Sequence, residues 1–125
     1  MDLSLDYPGN HLFVRGIGEQ GIRIGDEWFT RSFLLSLDKV VADWPPQSLD
    51  QFNEAHIKPI VELQPEVVLF GTGPRHAFLS HELTYRFYQN SLGLEMMTTE
   101  AACRTFNVLA AEGRKVVAAL MPLRD

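Results

Sequence analysis

Glycine, threonine and arginine carry most of the chemistry this chain could do. Gly16-Ile17-Gly18-Glu19-Gln20-Gly21 matches the G-x-G-x-x-G spacing of dinucleotide-binding loops. That chemistry needs a preceding strand and a following helix whose N-terminus meets the pyrophosphate. Here Ile22-Arg23-Ile24 follows with strand alternation, and Glu19 would turn a negative charge toward a phosphate. A hairpin loop is the expected structure.

Gly71-Thr72-Gly73 is better placed, because it follows the apolar run Val67-Val68-Leu69-Phe70. Open α/β sheets bind ligands beyond the carboxyl ends of their strands. Thr98 and Thr99 stand at the end of the next apolar stretch and at a helix start, where N–H groups and the helix dipole favour anions. The two loops are expected to share one sheet edge. No lysine lies in the Gly71 loop, so it is not a P-loop. Pro74 removes an N–H donor, and Glu100 places a carboxylate in the first helical turn. Arg75, Arg104 and Arg114 are the cations available to such a cleft. Arg104 also lies four residues after Glu100, the favourable orientation for a helix ion pair of ~0.3–0.5 kcal/mol. Glu112 and Arg114 flank Gly113 and bracket a helix-to-strand turn.

Catalytic and metal-binding patterns are missing. Cys103 is the single cysteine, which excludes an internal disulfide and a cysteine-only zinc site. It shares a helix side with Phe106 and Ala110, so a buried thiol is expected rather than a nucleophile. His11, His56, His76 and His81 lack ligand spacing. His81-Glu82 begins like a zinc-protease helix, but Tyr85 occupies the second histidine's place. No G-x-S-x-G is present. No catalytic residue, metal or cofactor is expected, and a non-enzymatic chain is favoured.

The elements that must position these residues follow from pattern. His11 to Val14, Gly21 to Ile24, Trp28 to Leu37 and Val40-Val41 read as strands of an antiparallel meander with glycine turns, closed by Trp44-Pro45-Pro46. Ser48 with Gln51 three residues on reads as a capping box, so a helix is expected from Leu49, interrupted near Pro59. From Val67 the order is strand, helix, strand, helix, strand. Ser80 caps the first helix, with Leu83 and Phe87 on one side and Gly93 as its left-handed terminator. Thr98 or Thr99 caps the second, which carries Ala102, Phe106 and Leu109 and ends at Gly113; Val116 to Met121 is the last strand. Right-handed crossovers make these three strands parallel. The expected fold is one α/β domain over residues 1–125, three layers about a central mixed β-sheet, with an antiparallel N-terminal β segment followed by a βαβαβ unit.

Composition bounds the partners. The chain has 125 residues, 46% hydrophobic and 22% charged, the profile of a globular domain. Its net charge is −5, and no basic run offsets the repulsion from phosphate backbones, so nucleic acid is not expected as a partner. No apolar run reaches the ~18–20 residues needed to span a bilayer. The acidic start, Met1-Asp2-Leu3-Ser4-Leu5-Asp6, lacks the basic region of a signal peptide and the bias of a transit peptide, so a cytoplasmic location is expected. Trp28, Phe29, Phe33, Trp44, Tyr85, Phe87 and Tyr88 exceed what one core stripe uses; Phe33 and Phe87 are expected in the core, and Tyr85 and Tyr88 share a helix face suited to a partner or a homodimer.

The C-terminal third, Gly71-Thr72-Gly73, then Gly93 through Leu109 with its Met97-Thr98-Thr99 and Arg104-Thr105-Asn107 core, then Glu112-Gly113-Arg114, resembles a known family. It is the family of small α/β domains of unknown function that includes the mitochondrial respiratory complex I assembly factor three. The resemblance covers nearly the whole chain. It implies a three-layer fold with a central mixed sheet and, for the mitochondrial members, a non-enzymatic role in assembling the NADH dehydrogenase complex. It implies a bacterial stand-alone form here, with another protein, such as a respiratory-complex subunit, as partner. It carries no catalytic residue; the matching positions Gly71, Gly73, Thr98, Thr99, Arg104, Thr105, Asn107, Glu112 and Arg114 are candidates for binding or fold maintenance. A small-anion or metabolite-binding protein using the cleft between the Gly71–Gly73 and Thr98–Thr99 loops is the alternative.

Overall fold

The structure, a computed structural model, describes residues 10–124. The acidic stretch from Met1 to Asp6, on which the expectation of no leader rests, lies outside the described residues. Strand alternation builds the first layer. β1 (Val14–Gly18), β2 (Gly21–Ile24) and β3 (Glu27–Phe29) form a three-stranded antiparallel sheet. Gly21 adopts φ +109°, and a Cβ there would collide with the Phe29 carbonyl oxygen, so glycine is what lets β3 close against β2. The dinucleotide-like spacing falls across this hairpin. Gly16-Ile17-Gly18 belong to β1 and only Glu19 and Gln20 make the turn. The first strand begins at Val14 rather than His11.

The expected strand from Trp28 to Leu37 is two strands in two sheets. Trp28 and Phe29 pair with β2, whereas β4 (Phe33–Leu35) pairs with β5 (Val40–Val41) and with β8 (Val116–Leu120) of a second sheet. Burial explains the break at Thr30 to Ser32. Phe33 and Leu35 enter one core and Leu34 the other, all fully buried, which requires an inner strand covered on both faces. The second sheet runs β5-β4-β8-β6-β7, with β6 (Val67–Gly71) parallel to both β7 (Gly93–Met97) and β8, and β4 antiparallel to β8. This is the mixed central sheet.

Its two faces carry separate cores. Leu69, Val116, Ala118 and Leu120 pack with Phe106, Ala102 and Cys103 of α3 (Thr99–Ala111) and with Ile22 and Ile24 of the small sheet. Val68, Phe70, Val117 and Ala119 pack with Phe87 of α2 (His81–Gln89), Ile60 of α1 (Lys58–Glu62), and Trp44 and Phe52. Three layers result, as the strand-helix order implied.

The helix ends show where local signals held. Ser80 Oγ accepts from Leu83 N–H at 3.2 Å, Thr98 Oγ1 accepts from Ala101 N–H at 3.2 Å, and Gly113 ends α3 at φ +77°. The Ser48–Gln51 box does not form: Gln51 Oε1 accepts from Gln47 N–H instead, and Leu49–Gln51 is a single 3₁₀ turn. The capping box lies five residues later, at Asn53 and His56, around a second 3₁₀ turn, and Pro59 sits in the first turn of α1. Gly93 does not terminate α2 either; Ser91 takes the left-handed conformation at φ +60° and Gly93 opens β7 beside the Glu66 carbonyl.

Candidate functional site

Thr99 joins the three segments that leave the parallel strands at their carboxyl ends. Its hydroxyl accepts from Gly73 N–H and donates to the Met121 carbonyl, both at 2.8 Å. Its own N–H donates to the Gly73 carbonyl at 3.0 Å. The side chain is fully buried. Gly71 makes the approach sterically feasible, since a Cβ there would stand 2.8 Å from Thr99 Cα. Thr72 N–H donates to the Met97 carbonyl at 2.8 Å, and its hydroxyl donates to the Arg75 carbonyl at 2.6 Å. The Gly71–Gly73 and Thr98–Thr99 loops thus share one edge of the sheet.

These bonds consume groups that an anion would need. Both threonine hydroxyls, Ala101 N–H and Ala102 N–H are engaged within the fold. The Glu100 carboxylate takes the Arg104 guanidinium at 2.9 Å, the i,i+4 pair the spacing implied. What remains accessible is a cleft of about 570 Å³ floored by Gly73, Pro74 and Thr98, with Ile17 of β1 and Leu123 beside them and Arg104 and Arg124 on its walls. Across the Gly73-Pro74 ridge lies a second cleft of about 440 Å³, bounded by Thr72, Gln47, Pro122, Arg31 and again Arg124.

The other positions singled out from sequence are dispersed. Asn107 faces the small sheet, where its Oδ1 accepts from Val14 N–H at 2.8 Å and its Nδ2 donates to the Val14 carbonyl at 2.9 Å, stapling α3 to β1. Thr105 is half-buried on α3. Glu112 and Arg114 lie at the amino edge, because α3 runs the length of the sheet between Thr99 and Ala111. Arg75 lies outside the lining of either cleft. Ile17, Arg31, Leu123 and Arg124 escaped sequence reasoning. The only signal was two arginines near turn prolines and polar residues, far apart in the chain.

Cys103 is buried, and its thiol is pushed up to about 12, first by burial and then by the Glu100 carboxylate, with Arg104 opposing. A thiol held protonated in this way is a core residue, not a nucleophile. Among the described residues no three His, Cys, Asp or Glu side chains stand together as a metal site, and no helix is long and apolar enough to cross a membrane. Tyr85 and Tyr88 are exposed, with Phe78 more exposed still at 74%.

A family described as "Protein of unknown function (DUF498/DUF598)" matches residues 14–121. The chain belongs to that family. The chain is similar to the NADH dehydrogenase (ubiquinone) 1 alpha subcomplex assembly factor 3 of Bos taurus, 33% identical over 109 residues, which cover 78% of this chain. The chain spans 59% of the length of that relative. Two solved structures show the same fold. A Xanthomonas campestris protein superposes with a TM-score of 0.80 at 36% identity, covering 94% of this chain and 87% of that one. A Mth938-like domain of Bordetella pertussis gives 0.83 at 29% identity, covering 100% and 94%. The chain therefore shares its fold with these relatives, and the resemblance read from Gly71 to Arg114 is a family relationship.

Proposed function

We propose that this DUF498 protein is a non-enzymatic, protein-binding module that acts in the manner of an assembly factor, with a respiratory-complex subunit as its partner and the bacterial cytoplasm as its location. The observation that carries this reading is the state of the carboxyl edge. The Thr98 and Thr99 hydroxyls and the N–H groups of Thr99, Ala101 and Ala102 are engaged within the fold, while Arg104, Arg124, Ile17 and Leu123 line the open cleft. Such a surface suits recognition better than bond-making, which needs convergent, unengaged polar groups. The bovine relative's name supports the same reading.

Deletion of the gene in its own bacterium tests it. A fall in NADH:quinone oxidoreductase activity, with smaller subcomplexes on native gels and rescue by the wild-type gene, is expected. Unchanged complex assembly in the deletion strain would refute the reading.

The second reading, a small-anion or metabolite site, is favoured by one feature, the presence of both Arg104 and Arg124 in the lining of the 570 Å³ cleft. A bound anion at a hundred times its dissociation constant would add ~2.7 kcal/mol of stability, and Arg104→Ala with Arg124→Ala would abolish the shift. A metabolite panel without such a shift removes this reading. Self-association through Tyr85 and Tyr88 is compatible with both; sedimentation as a monomer at high protein concentration would exclude it.

A further inference from the structure

We propose that the two clefts flanking Gly73-Pro74 form one basic trough that receives an acidic, extended segment of the partner protein. This rests on the protein-binding reading above and names the chemistry of its partner.

Charge is the first observation. The chain carries sixteen acidic and eleven basic residues, so most guanidinium groups could find a carboxylate within the fold. Arg104 does, at Glu100. Arg31 and Arg124 pair with no carboxylate among the described residues, and both line the trough. Arg124 makes one long bond, 3.4 Å, to the Glu19 backbone carbonyl, which leaves most of its five donors open. The carboxylate facing the trough, Glu100, is already neutralised by Arg104.

Shape is the second. The clefts lie on either side of Gly73-Pro74 and share Arg124, so one extended segment laid across that ridge would meet both, with Ile17 and Leu123 offering apolar contact on one side and Pro122 on the other. Ile17 is 37% exposed, so its side chain is available for such contact. Arginines set around apolar ground match a chain whose carboxylates alternate with aliphatic side chains, because guanidinium groups hold carboxylates bidentately. A compact free anion would instead require convergent buried donors, and at the start of α3 the N–H groups of Thr99, Ala101 and Ala102 are taken by Gly73 and Thr98.

The probe is a fluorescein-labelled peptide repeating Glu-Leu-Glu-Gly, with its Lys-Leu-Lys-Gly counterpart as control, titrated against the full chain by anisotropy. Amide shifts in the NMR spectrum locate the contact. Saturable binding of the acidic peptide only, weakened about tenfold between roughly 50 and 300 mM salt, with shifts at Gly18, Thr72, Gly73 and Leu123, is expected. Arg31→Glu with Arg124→Glu should abolish it while leaving the unfolding midpoint unchanged, since neither residue holds the fold together. Equal binding by the double variant, equal binding of the basic peptide, or the same shifts with inorganic phosphate alone would each overturn the trough. In the deletion strain, full rescue of complex assembly by the double variant would reject the trough while leaving the assembly reading in place. Peptide binding with an unaffected deletion strain would support the trough and reject the assembly reading.

Discussion

Two consecutive threonines at the start of α3 have opposite tasks. Thr98 accepts from Ala101 N–H and caps the helix, while Thr99 points inward and bridges Gly73 and Met121. Residue type announced a polar helix start, but only the backbone direction entering the helix decides which hydroxyl turns to the core. Of the two roles read for Thr99 from sequence, binding or fold maintenance, these bonds are of the second kind. Removing its hydroxyl alone would leave a buried N–H and a buried carbonyl without partners, at about 1–3 kcal/mol for each group. Thr99→Val is therefore expected to lower stability by about 2–6 kcal/mol in urea unfolding, and Thr99→Ser to lower it by no more than about 1.5 kcal/mol, as a lost methyl group does. Equal stability of the valine variant and the wild type would refute the bridge. Cys103 gives a second residue-scale prediction. With its thiol pushed up to about 12, it should resist a disulfide reagent at pH 8 in the folded protein and react fully in urea, because the thiolate is the reacting species. Rapid labelling of the folded chain would contradict its burial.

Among the elements, the corner from Trp44 to Ile57 was the least legible. Ser48 and Gln51 have capping-box spacing, yet Gln51 is taken by Gln47 N–H, and Asn53 with His56 forms the box instead. Spacing cannot rank two such pairs, because the choice depends on which turn lets Trp44 and Phe52 reach Phe70. The Trp44 and Phe52 rings lie 5.9 Å and 5.0 Å from that of Phe70. By contrast α2, α3 and the strands between them were legible, since Ser80, Thr98 and Gly113 act through bonds within a turn. The corner also carries a pH dependence. His56 Nδ1 accepts from Asn53 N–H at 3.0 Å, and Trp44 Nε1–H donates to the His56 carbonyl at 3.1 Å. Acceptance at Nδ1 requires that atom to be unprotonated, and burial lowers the His56 pKa below its ordinary 6.5. The unfolded chain therefore binds the proton more readily, so this contribution is present above pH 6.5 and is lost as pH falls through the folded-state value. Urea unfolding between pH 7.5 and 5 should show a larger drop for the wild type than for His56→Ala. Identical slopes would show that His56 does not titrate in this way.

At the scale of the whole molecule, the central sheet separates two cores whose packing is argued from β8. All five of its residues are buried, Val116, Ala118 and Leu120 toward α3 and the small sheet, Val117 and Ala119 toward α1 and α2. A continuous apolar run reads in sequence as a strand covered on both faces, which made the three layers foreseeable. The assignment of β4 to that sheet was not, because Trp28 to Leu37 reads as one strand and the long-range pairing with β8 is what separates Phe33–Leu35 from β3. The same limit hid the basic trough: Arg31 and Arg124 lie far apart in the sequence and come together only when β8 delivers Pro122 to Arg124 beside the Gly73 ridge. If the sheet truly insulates the two faces, truncations on opposite sides should share no partners and their effects should add. Ile24 and Ile60 are both fully buried, one in each core. Ile24→Val and Ile60→Val should each cost about 0.5–1.5 kcal/mol, and the double variant should equal their sum within about 0.5 kcal/mol. Because β6 and β8 contribute residues to both cores, unfolding should nevertheless stay a single cooperative transition by fluorescence and circular dichroism alike. A coupling well above that limit would mean the layers relax through the sheet, and two separated transitions would mean that β6 and β8 do not bind the faces into one unit.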